Sequence, residues 1–195
     1  KVVVSVSSSS NPGDYYYFDK ENMILTFLWD SSPWIDRSKL AKKQPIKYTA
    51  RDGLVVHGYL TIPTGTDGKN LPMVVHPHGG PNARDTMSYD PYVQFMANRG
   101  YVVFQPNFRG STGYGAYHYI SANKQFGKTM QDDITDGVNY LIELGIADRD
   151  RIAIFGGSYG GYATMAGLAF TPDLYAAGIN YVGVVDLELL QEDSN

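Results

Sequence analysis

A serine and the four glycines around it are the residues of this sequence best suited to chemistry. Residues 156–160 have the pattern G-x-S-x-G centred on Ser158, with the apolar run RIAIF before it and a small-residue helix pattern after it. A serine held on such a tight strand-to-helix turn has its Oγ lifted clear of the sheet, and its glycine neighbours leave room for the chain to pass. The pattern therefore predicts a nucleophile at Ser158, with the Tyr159 N–H at the helix N-terminus aimed at a developing oxyanion.

Three other interpretations of the glycine cluster fit less well. A dinucleotide fingerprint needs a glycine where Ser158 stands, and a phosphate-binding P-loop needs a lysine where Tyr162 stands. Close packing of a helix on a strand, with an ordinary serine between them, also uses small residues. The strand, turn and helix context favours the nucleophile, and a second glycine-rich loop upstream supports it.

That second loop is HPHGGP, residues 76–81, which follows an apolar strand pattern. Serine hydrolases with a His-Gly-Gly-Gly loop at this place take a second oxyanion N–H from it. Pro81 has no N–H, so the donor has to be an upstream glycine, and we predict Gly80 rather than Gly79. The two histidines of the loop would share a face of a continuing strand, which leaves a metal pair open. No further ligands cluster nearby, so a structural role is favoured and no metal site is predicted.

Strand and helix patterns divide the chain near residue 40. Residues 1–40 have the pattern of short strands and turns, a β-meander followed by a linker that continues to Pro45. Beyond it, strand patterns alternate with helix patterns, among them residues 130–144 and 159–170. Such alternation predicts an α/β fold whose mostly parallel sheet has helices on both faces. We therefore predict two units, residues 1–40 and residues 41–195.

Composition narrows the classes of function. The chain has 16 Lys and Arg against 20 Asp and Glu, a net charge of −4, which disfavours nucleic acid as a partner because phosphate binding needs a basic surface. No apolar run is long enough for a membrane span, so no membrane partner is predicted. The absence of cysteine excludes disulfides, thiolate metal ligands and a cysteine nucleophile, and it leaves the cellular compartment open.

Four motifs, in this order, resemble those of the prolyl oligopeptidase family of serine peptidases, above all its acylaminoacyl-peptidase and dipeptidyl-aminopeptidase branch: HGGP, NFRGSTGYG, DRIAIFGGSYGGY and YVGVVDL. The resemblance spans residues 44–186. It implies an α/β-hydrolase domain, here incomplete at its C-terminal end, and it implies that residues 1–40 are the last strands of a preceding β-propeller. Phe126 stands where relatives often have tryptophan, in an aromatic packing position.

By this resemblance Ser158 is the nucleophile, and the N–H groups of Tyr159 and Gly80 are the oxyanion donors. Arg109 and Tyr114 lie on a loop near the active site of the family, which makes them candidate substrate contacts, although a structural role is favoured for Arg109. The implied activity is hydrolysis of short peptides, or release of N-terminal aminoacyl or acylaminoacyl groups, through an acyl-enzyme and without a cofactor. A carboxylesterase of the same fold and a non-catalytic binding module remain alternatives.

The sequence lacks one part of this chemistry. The triad of an α/β-hydrolase runs in the order serine, acid, histidine. All four histidines of this chain precede Ser158: His57, His76, His78 and His118. Asp186 follows the next predicted strand, and a structural role is favoured for it over that of the acid. Because a serine without a base stays protonated and nearly inert, we expect a part of a longer enzyme that is inactive alone; completion by another chain and recruitment of an upstream histidine are the alternatives.

Overall fold

The computed structural model describes residues 1–193, which form one small and one larger β-sheet. The strands are β1 (Val2–Ser8), β2 (Asn11–Asp19), β3 (Ile24–Asp30), β4 (Lys43–Thr49), β5 (Val55–Thr61), β6 (Leu71–Val75), β7 (Val102–Asn107), β8 (Ala147–Gly157) and β9 (Ala177–Tyr181). The α-helices are α1 (Pro91–Ala97), α2 (Ala116–Ile120), α3 (Thr129–Glu143), α4 (Tyr159–Phe170) and α5 (Leu187–Asp193). Residues 194–195, the end of the predicted second unit, lie outside the described residues.

The small sheet is antiparallel and has the strand order β1-β2-β3. Tyr15 of β2 stacks on Trp29 of β3 with ring centroids 4.7 Å apart, and Tyr16 makes an edge contact with Phe27. Such cross-strand aromatic pairs stabilise antiparallel sheets. The first 30 residues therefore contain the short strands and turns that the sequence indicates, while their assignment to a propeller stays a prediction.

The larger sheet has six strands in the order β4-β5-β7-β6-β8-β9. The pairs β4–β5 and β5–β7 are antiparallel, and the three pairs β7–β6, β6–β8 and β8–β9 are parallel. The sheet is thus mixed and mostly parallel, because a hairpin forms its first edge. Strand β4 already includes Pro45, which the sequence placed in the linker. Proline fits there because an edge strand has backbone groups without a partner strand.

Helices cover both faces of this sheet, as the alternating pattern predicts. On one face Val103 of β7 packs with Val93 and Ala97 of α1. On the other face the neighbouring Phe104 belongs to the main core, together with Ile134 of α3. Within residues 1–193, no helix is both long and apolar enough to cross a bilayer.

The carboxyl ends of the parallel strands β6, β7 and β8 meet at one edge of the sheet, where ligand sites of α/β folds form. The run AAGINYVGVV, residues 176–185, has the pattern of one continuous strand, but β9 ends at Tyr181. Val182 has φ 45°, and a Cβ placed on Gly161 of α4 would lie 2.6 Å from the Gly183 Cα. The chain therefore leaves the sheet here to pass close over the start of α4.

Gln94 of α1 connects the small sheet to the larger one. Its side chain is buried and makes three hydrogen bonds to the backbone. The Nε2 group donates to Ser9 O (2.9 Å) and to Ala41 O (2.8 Å), and Oε1 accepts from the Ala41 N–H (2.9 Å). A single polar side chain thus holds the turn after β1 and the linker against α1.

Candidate active site

Ser158 stands on the turn between β8 and α4, with its side chain exposed. Its backbone has φ 55° and ψ −121°, a conformation that residues other than glycine rarely adopt and that costs on the order of 1–3 kcal/mol. Backbone hydrogen bonds hold the turn, since the Ser158 N–H donates to Tyr181 O (3.1 Å) and the Tyr162 N–H donates to Ser158 O (3.0 Å). A strained turn therefore presents a free hydroxyl at the edge of the sheet, as the G-x-S-x-G pattern predicts.

The glycines of this turn differ in how much space surrounds them. A Cβ on Gly160 would overlap the carbonyl oxygen of Pro77, and a Cβ on Gly156 would overlap the backbone of Gly160. A Cβ on Gly157 would lie 3.3 Å from the Tyr181 side chain and 3.6 Å from the Tyr181 carbonyl oxygen, without overlap. Backbone contact thus requires glycine at both ends of the pentapeptide, while the position directly before the serine has more room.

The loop after β6 passes beside Ser158. A Cβ on Gly79 would lie 3.4 Å from Ser158 Cβ and 4.0 Å from its Oγ. The next residue, Gly80, lines the same cavity as Ser158 and Tyr159. The structure therefore brings the predicted nucleophile and both residues predicted to donate to the oxyanion into one cavity.

The His78 side chain fixes the orientation of this loop. Its ring stacks on Phe108, with Nδ1 2.7 Å from Gly79 O and Nε2 2.8 Å from Ser111 Oγ. Burial lowers the pKa of His78 to about 4, so the ring is neutral at pH 7 and carries one N–H. Because a carbonyl only accepts, Nδ1 donates to Gly79 O, while Nε2 faces the Ser111 oxygen, which also lies 2.7 Å from Phe108 O. The C=O and N–H of a trans peptide point in opposite directions, so the Gly80 N–H points away from His78.

The other histidine of the loop has different neighbours, so the shared face that would allow a metal pair is absent. The strand β6 ends at Val75, before the loop. The His76 ring stacks on Phe155, and its Nδ1 donates to Phe155 O at 2.7 Å. In the part of the chain that the structure describes, no group of three or more His, Cys, Asp or Glu side chains is placed to hold a metal ion.

The cavity beside Ser158 has a volume of about 210 Å³ and mostly apolar walls. Its remaining lining residues are Pro81, Phe126, Tyr162, Val184, Leu187 and Leu190. Phe126 makes an edge contact with the buried Tyr159 ring at 4.8 Å, as expected of an aromatic packing position. Leu187 and Leu190 come from α5, and this helix was not predicted from the sequence. Asp186 before the run LELL is nevertheless a helix-start signal.

Arg109, a candidate substrate contact, is buried and bound by two carboxylates. Its Nε and Nη2 donate to the two oxygens of Asp133 at 2.8 and 2.6 Å, and its Nη1 donates to Asp52 at 2.7 Å. The hydrogen bonds with Asp133 raise the pKa of Arg109, so it stays charged. Arg109 does not line the cavity at Ser158, and its location favours the structural role.

Tyr114, the second candidate substrate contact, packs against the strand β5. Its ring stacks on His57 with centroids 4.9 Å apart, and its hydroxyl accepts from Asn107 Nδ2 at 2.9 Å. Like Arg109, it is absent from the wall of the cavity at Ser158. The structure therefore places Ser158, Tyr159 and Gly80 around one cavity. Arg109 and Tyr114 lie outside it.

The remaining titratable candidates also have other partners. The buried His118 donates from Nε2 to Phe108 O at 3.1 Å. Asp186 caps α5, since its Oδ1 accepts from the backbone N–H groups of Glu188 (3.1 Å) and Leu189 (3.0 Å). Among residues 1–193, no histidine forms a hydrogen bond with Ser158 Oγ.

Known proteins are similar to this chain in sequence and in architecture. The sequence pattern of the prolyl oligopeptidase family matches residues 87–195, more than half of the chain. The chain belongs to the prolyl oligopeptidase family. It is 40% identical to dipeptidyl aminopeptidase BIII of Pseudoxanthomonas mexicana over 195 residues, which cover 96% of this chain and 28% of that protein. It is 35% identical to dipeptidyl peptidase family member 6 of Caenorhabditis elegans, over 95% of this chain and 28% of that protein.

Solved structures of the same family superpose on nearly the whole chain. The crystal structure of puromycin hydrolase has a TM-score of 0.83 at 30% identity, over 95% of this chain and 29% of that one. Acylaminoacyl peptidase of Pyrococcus horikoshii has a TM-score of 0.79 at 29% identity, over 93% of this chain and 29% of that one. The larger sheet is therefore that of an α/β-hydrolase domain, as the four motifs imply. This family member spans less than a third of the length of these relatives.

Proposed function

We propose that this chain carries the nucleophile and the oxyanion site of a serine peptidase that hydrolyses short peptides or releases N-terminal aminoacyl or acylaminoacyl groups. The observation that carries the proposal is the exposed Ser158 hydroxyl, which a strained turn presents to one cavity with Gly80 and Tyr159. Membership of the family supports hydrolysis. The relatives named as a dipeptidyl aminopeptidase and an acylaminoacyl peptidase support a substrate that is recognised at its N-terminus.

In the proposed reaction, Ser158 Oγ attacks the carbonyl carbon of the scissile bond while its proton passes to a general base. The carbonyl oxygen becomes an oxyanion that accepts from the Tyr159 N–H and the Gly80 N–H. Collapse of the tetrahedral intermediate breaks the C–N bond, and the base returns the proton to the leaving amine. Water then hydrolyses the acyl-enzyme. The base is a group other than the four described histidines, because each of these packs or bonds elsewhere.

Helix α4 supplies part of the oxyanion stabilisation. The first N–H groups of a helix have no partner within the helix and carry the positive end of its dipole. Tyr159 is the first residue of α4, so its N–H is one of these groups. Removal of one such donor lowers kcat by roughly 100- to 1000-fold in serine hydrolases.

The walls of the cavity beside Ser158 support a preference for one kind of substrate side chain next to the scissile bond. Phe126, Leu187 and Val184 present apolar surface beside Ser158. An apolar substrate side chain gains free energy when it leaves water for such a surface, about 25 cal/mol for each Å² that it buries. We therefore propose that the substrate residue whose carbonyl is attacked is apolar.

Labelling and kinetics test the proposal on the full-length protein, meaning the whole polypeptide that contains this chain. A fluorophosphonate probe should label the protein. Ser158→Ala should abolish the label without lowering the thermal midpoint. Peptidyl-nitroanilides and short acyl esters, compared at matched enzyme concentration, separate a peptidase from a carboxylesterase. Turnover of esters alone would contradict the peptidase assignment. An unlabelled wild-type protein would contradict both enzymes and leave a binding module.

A further inference from the structure

The loop that contains Gly80 is attached along its length to the neighbouring loop, the one after β7. The Thr112 N–H donates to Ala83 O at 2.9 Å. The Asn82 side chain donates from Nδ2 to Gly110 O at 3.1 Å. These bonds run in both directions between the two loops, so a movement of either loop displaces the other.

Two further side chains extend this attachment at its ends. Asn107 holds both backbone groups of Asp85, since its Oδ1 accepts from the Asp85 N–H (2.8 Å) and its Nδ2 donates to Asp85 O (3.2 Å). At the other end, the Ser111 hydroxyl meets His78 Nε2 at 2.8 Å. The position of the Gly80 N–H thus depends on the loop after β7.

The loop after β7 is itself anchored by Arg109. Its guanidinium lies between Asp133 of α3, which is fully buried, and Asp52 in the hairpin between β4 and β5. The Arg109 backbone N–H also donates to Asp133 Oδ2 at 2.8 Å. One carboxylate therefore fixes both the backbone and the side chain of the same residue, and α3 provides the rigid support.

We propose that Arg109 is a positioning residue for the oxyanion site, which it orders through the loop after β7 and the attached loop at Gly80. The inference rests on the proposed function, and Arg109 itself touches no substrate. A planar guanidinium with a bidentate carboxylate partner fixes direction as well as distance. An apolar side chain of the same volume would fill the space without fixing the rotation of the loop. Lysine would supply the charge, but not the two parallel N–H donors that bind both oxygens of one carboxylate.

The test compares Asp133→Asn and Arg109→Lys with the wild type in the full-length protein. We expect kcat on a peptidyl-nitroanilide to fall by about 10- to 100-fold, since a misplaced donor loses part of the effect of a deleted one. KM should stay within about threefold, because the change acts mainly on the transition state. The affinity for a peptide boronic acid, whose tetrahedral adduct fills the oxyanion site, should fall in parallel with kcat/KM.

Arg37 offers a matched control, because it also lies between two aspartates. It binds Asp14 through both oxygens (2.9 and 2.6 Å) and Asp30 at 2.7 Å, all in the region of the small sheet. Asp14→Asn should lower the thermal midpoint and leave kcat unchanged. A folded Asp133→Asn protein with wild-type kcat would overturn the inference. So would a boronic acid affinity that stays constant while kcat falls.

Asn82→Ala covers the case in which the buried variants do not fold. Its side chain is exposed, and the substitution removes one bond between the loops while the ion pair stays intact. We expect a several-fold lower kcat at unchanged KM, and a wild-type kcat in this variant would overturn the inference. Fluorophosphonate labelling of the wild type, lost in Ser158→Ala, separates this outcome from failure of the proposed function. A wild type without labelling or turnover would overturn both.

Discussion

At the scale of single residues, Ser158 combines its proposed function with backbone strain. A Ser158→Gly substitution relieves a conformation that costs on the order of 1–3 kcal/mol, and it adds flexibility to the unfolded chain that costs about 0.5–1 kcal/mol. We expect a net gain of about 1 kcal/mol, or about 2–4 °C in thermal midpoint, with complete loss of labelling. Calorimetry of Ser158→Ala provides the control, because alanine keeps the strain and should show no such gain. Equal midpoints for the two variants would mean that the turn is unstrained.

Asp85 is a second residue whose surroundings disfavour its ordinary state. Burial raises its pKa to about 7, only partly opposed by the nearby Lys43. Because the folded protein binds this proton more tightly than the unfolded chain, the contribution to stability is full below pH 4 and is lost as the pH rises through 7. The ionised carboxylate is thus a cost at pH 8.

We therefore expect Asp85→Asn to be more stable than the wild type at pH 8, by on the order of 1 kcal/mol. The advantage should shrink as the pH falls and disappear near pH 4, where both side chains are neutral. Thermal midpoints at a series of pH values check this. Asp67→Asn, at an exposed position, is the control and should follow the wild type throughout. A pH-independent difference for Asp85→Asn would contradict the assignment.

At the scale of elements, the elbow depends on how closely β6, β8 and α4 approach. Gly160→Ala would drive a methyl group into Pro77 O and separate α4 from the loop after β6. We expect a loss of about 3 kcal/mol or more together with loss of labelling. Gly157→Ala would bring its methyl group no closer than 3.6 Å to a backbone atom, the Tyr181 carbonyl oxygen, and should cost about 1 kcal/mol or less. Denaturant midpoints and labelling of both variants test this, and similar losses in the two would refute the role of backbone contact.

At the scale of the whole molecule, we propose that the described chain holds only part of a catalytic apparatus. Its four histidines have partners other than Ser158, and we infer that none of them activates the hydroxyl. We expect the isolated 195-residue chain to hydrolyse peptidyl-nitroanilides at least roughly 10⁴-fold more slowly than the full-length protein. Initial rates at matched Ser158 concentration measure this. Turnover close to that of the full-length protein would show that an upstream histidine acts as the base.

Sequence reasoning succeeded where local geometry leaves few choices. Glycine spacing around Ser158 predicted the turn, because only glycine fits where the loop after β6 and the start of α4 bring backbone atoms so close. The partners of Arg109 could not be predicted from local sequence patterns, since Asp133 lies 24 residues away in sequence and Asp52 lies 57 away. The end of β9 and the start of α5 were also missed, because the apolar run YVGVV suits a strand and a tight crossing equally well. Tertiary contact, rather than local pattern, decides such cases.

The stack of Tyr15 on Trp29 has a spectroscopic consequence. The chain contains two tryptophans, Trp29 and Trp34, and both precede the larger sheet. Selectively excited tryptophan emission therefore reports on the first 40 residues alone. Tyrosines such as Tyr159 and Tyr162, which line the cavity at Ser158, do not contribute to this emission. Far-ultraviolet circular dichroism is dominated by the α-helices, all of which, in residues 1–193, lie beyond residue 90. The two signals follow different halves of the fold, and a gap between their denaturant midpoints measures how far the two sheets unfold separately.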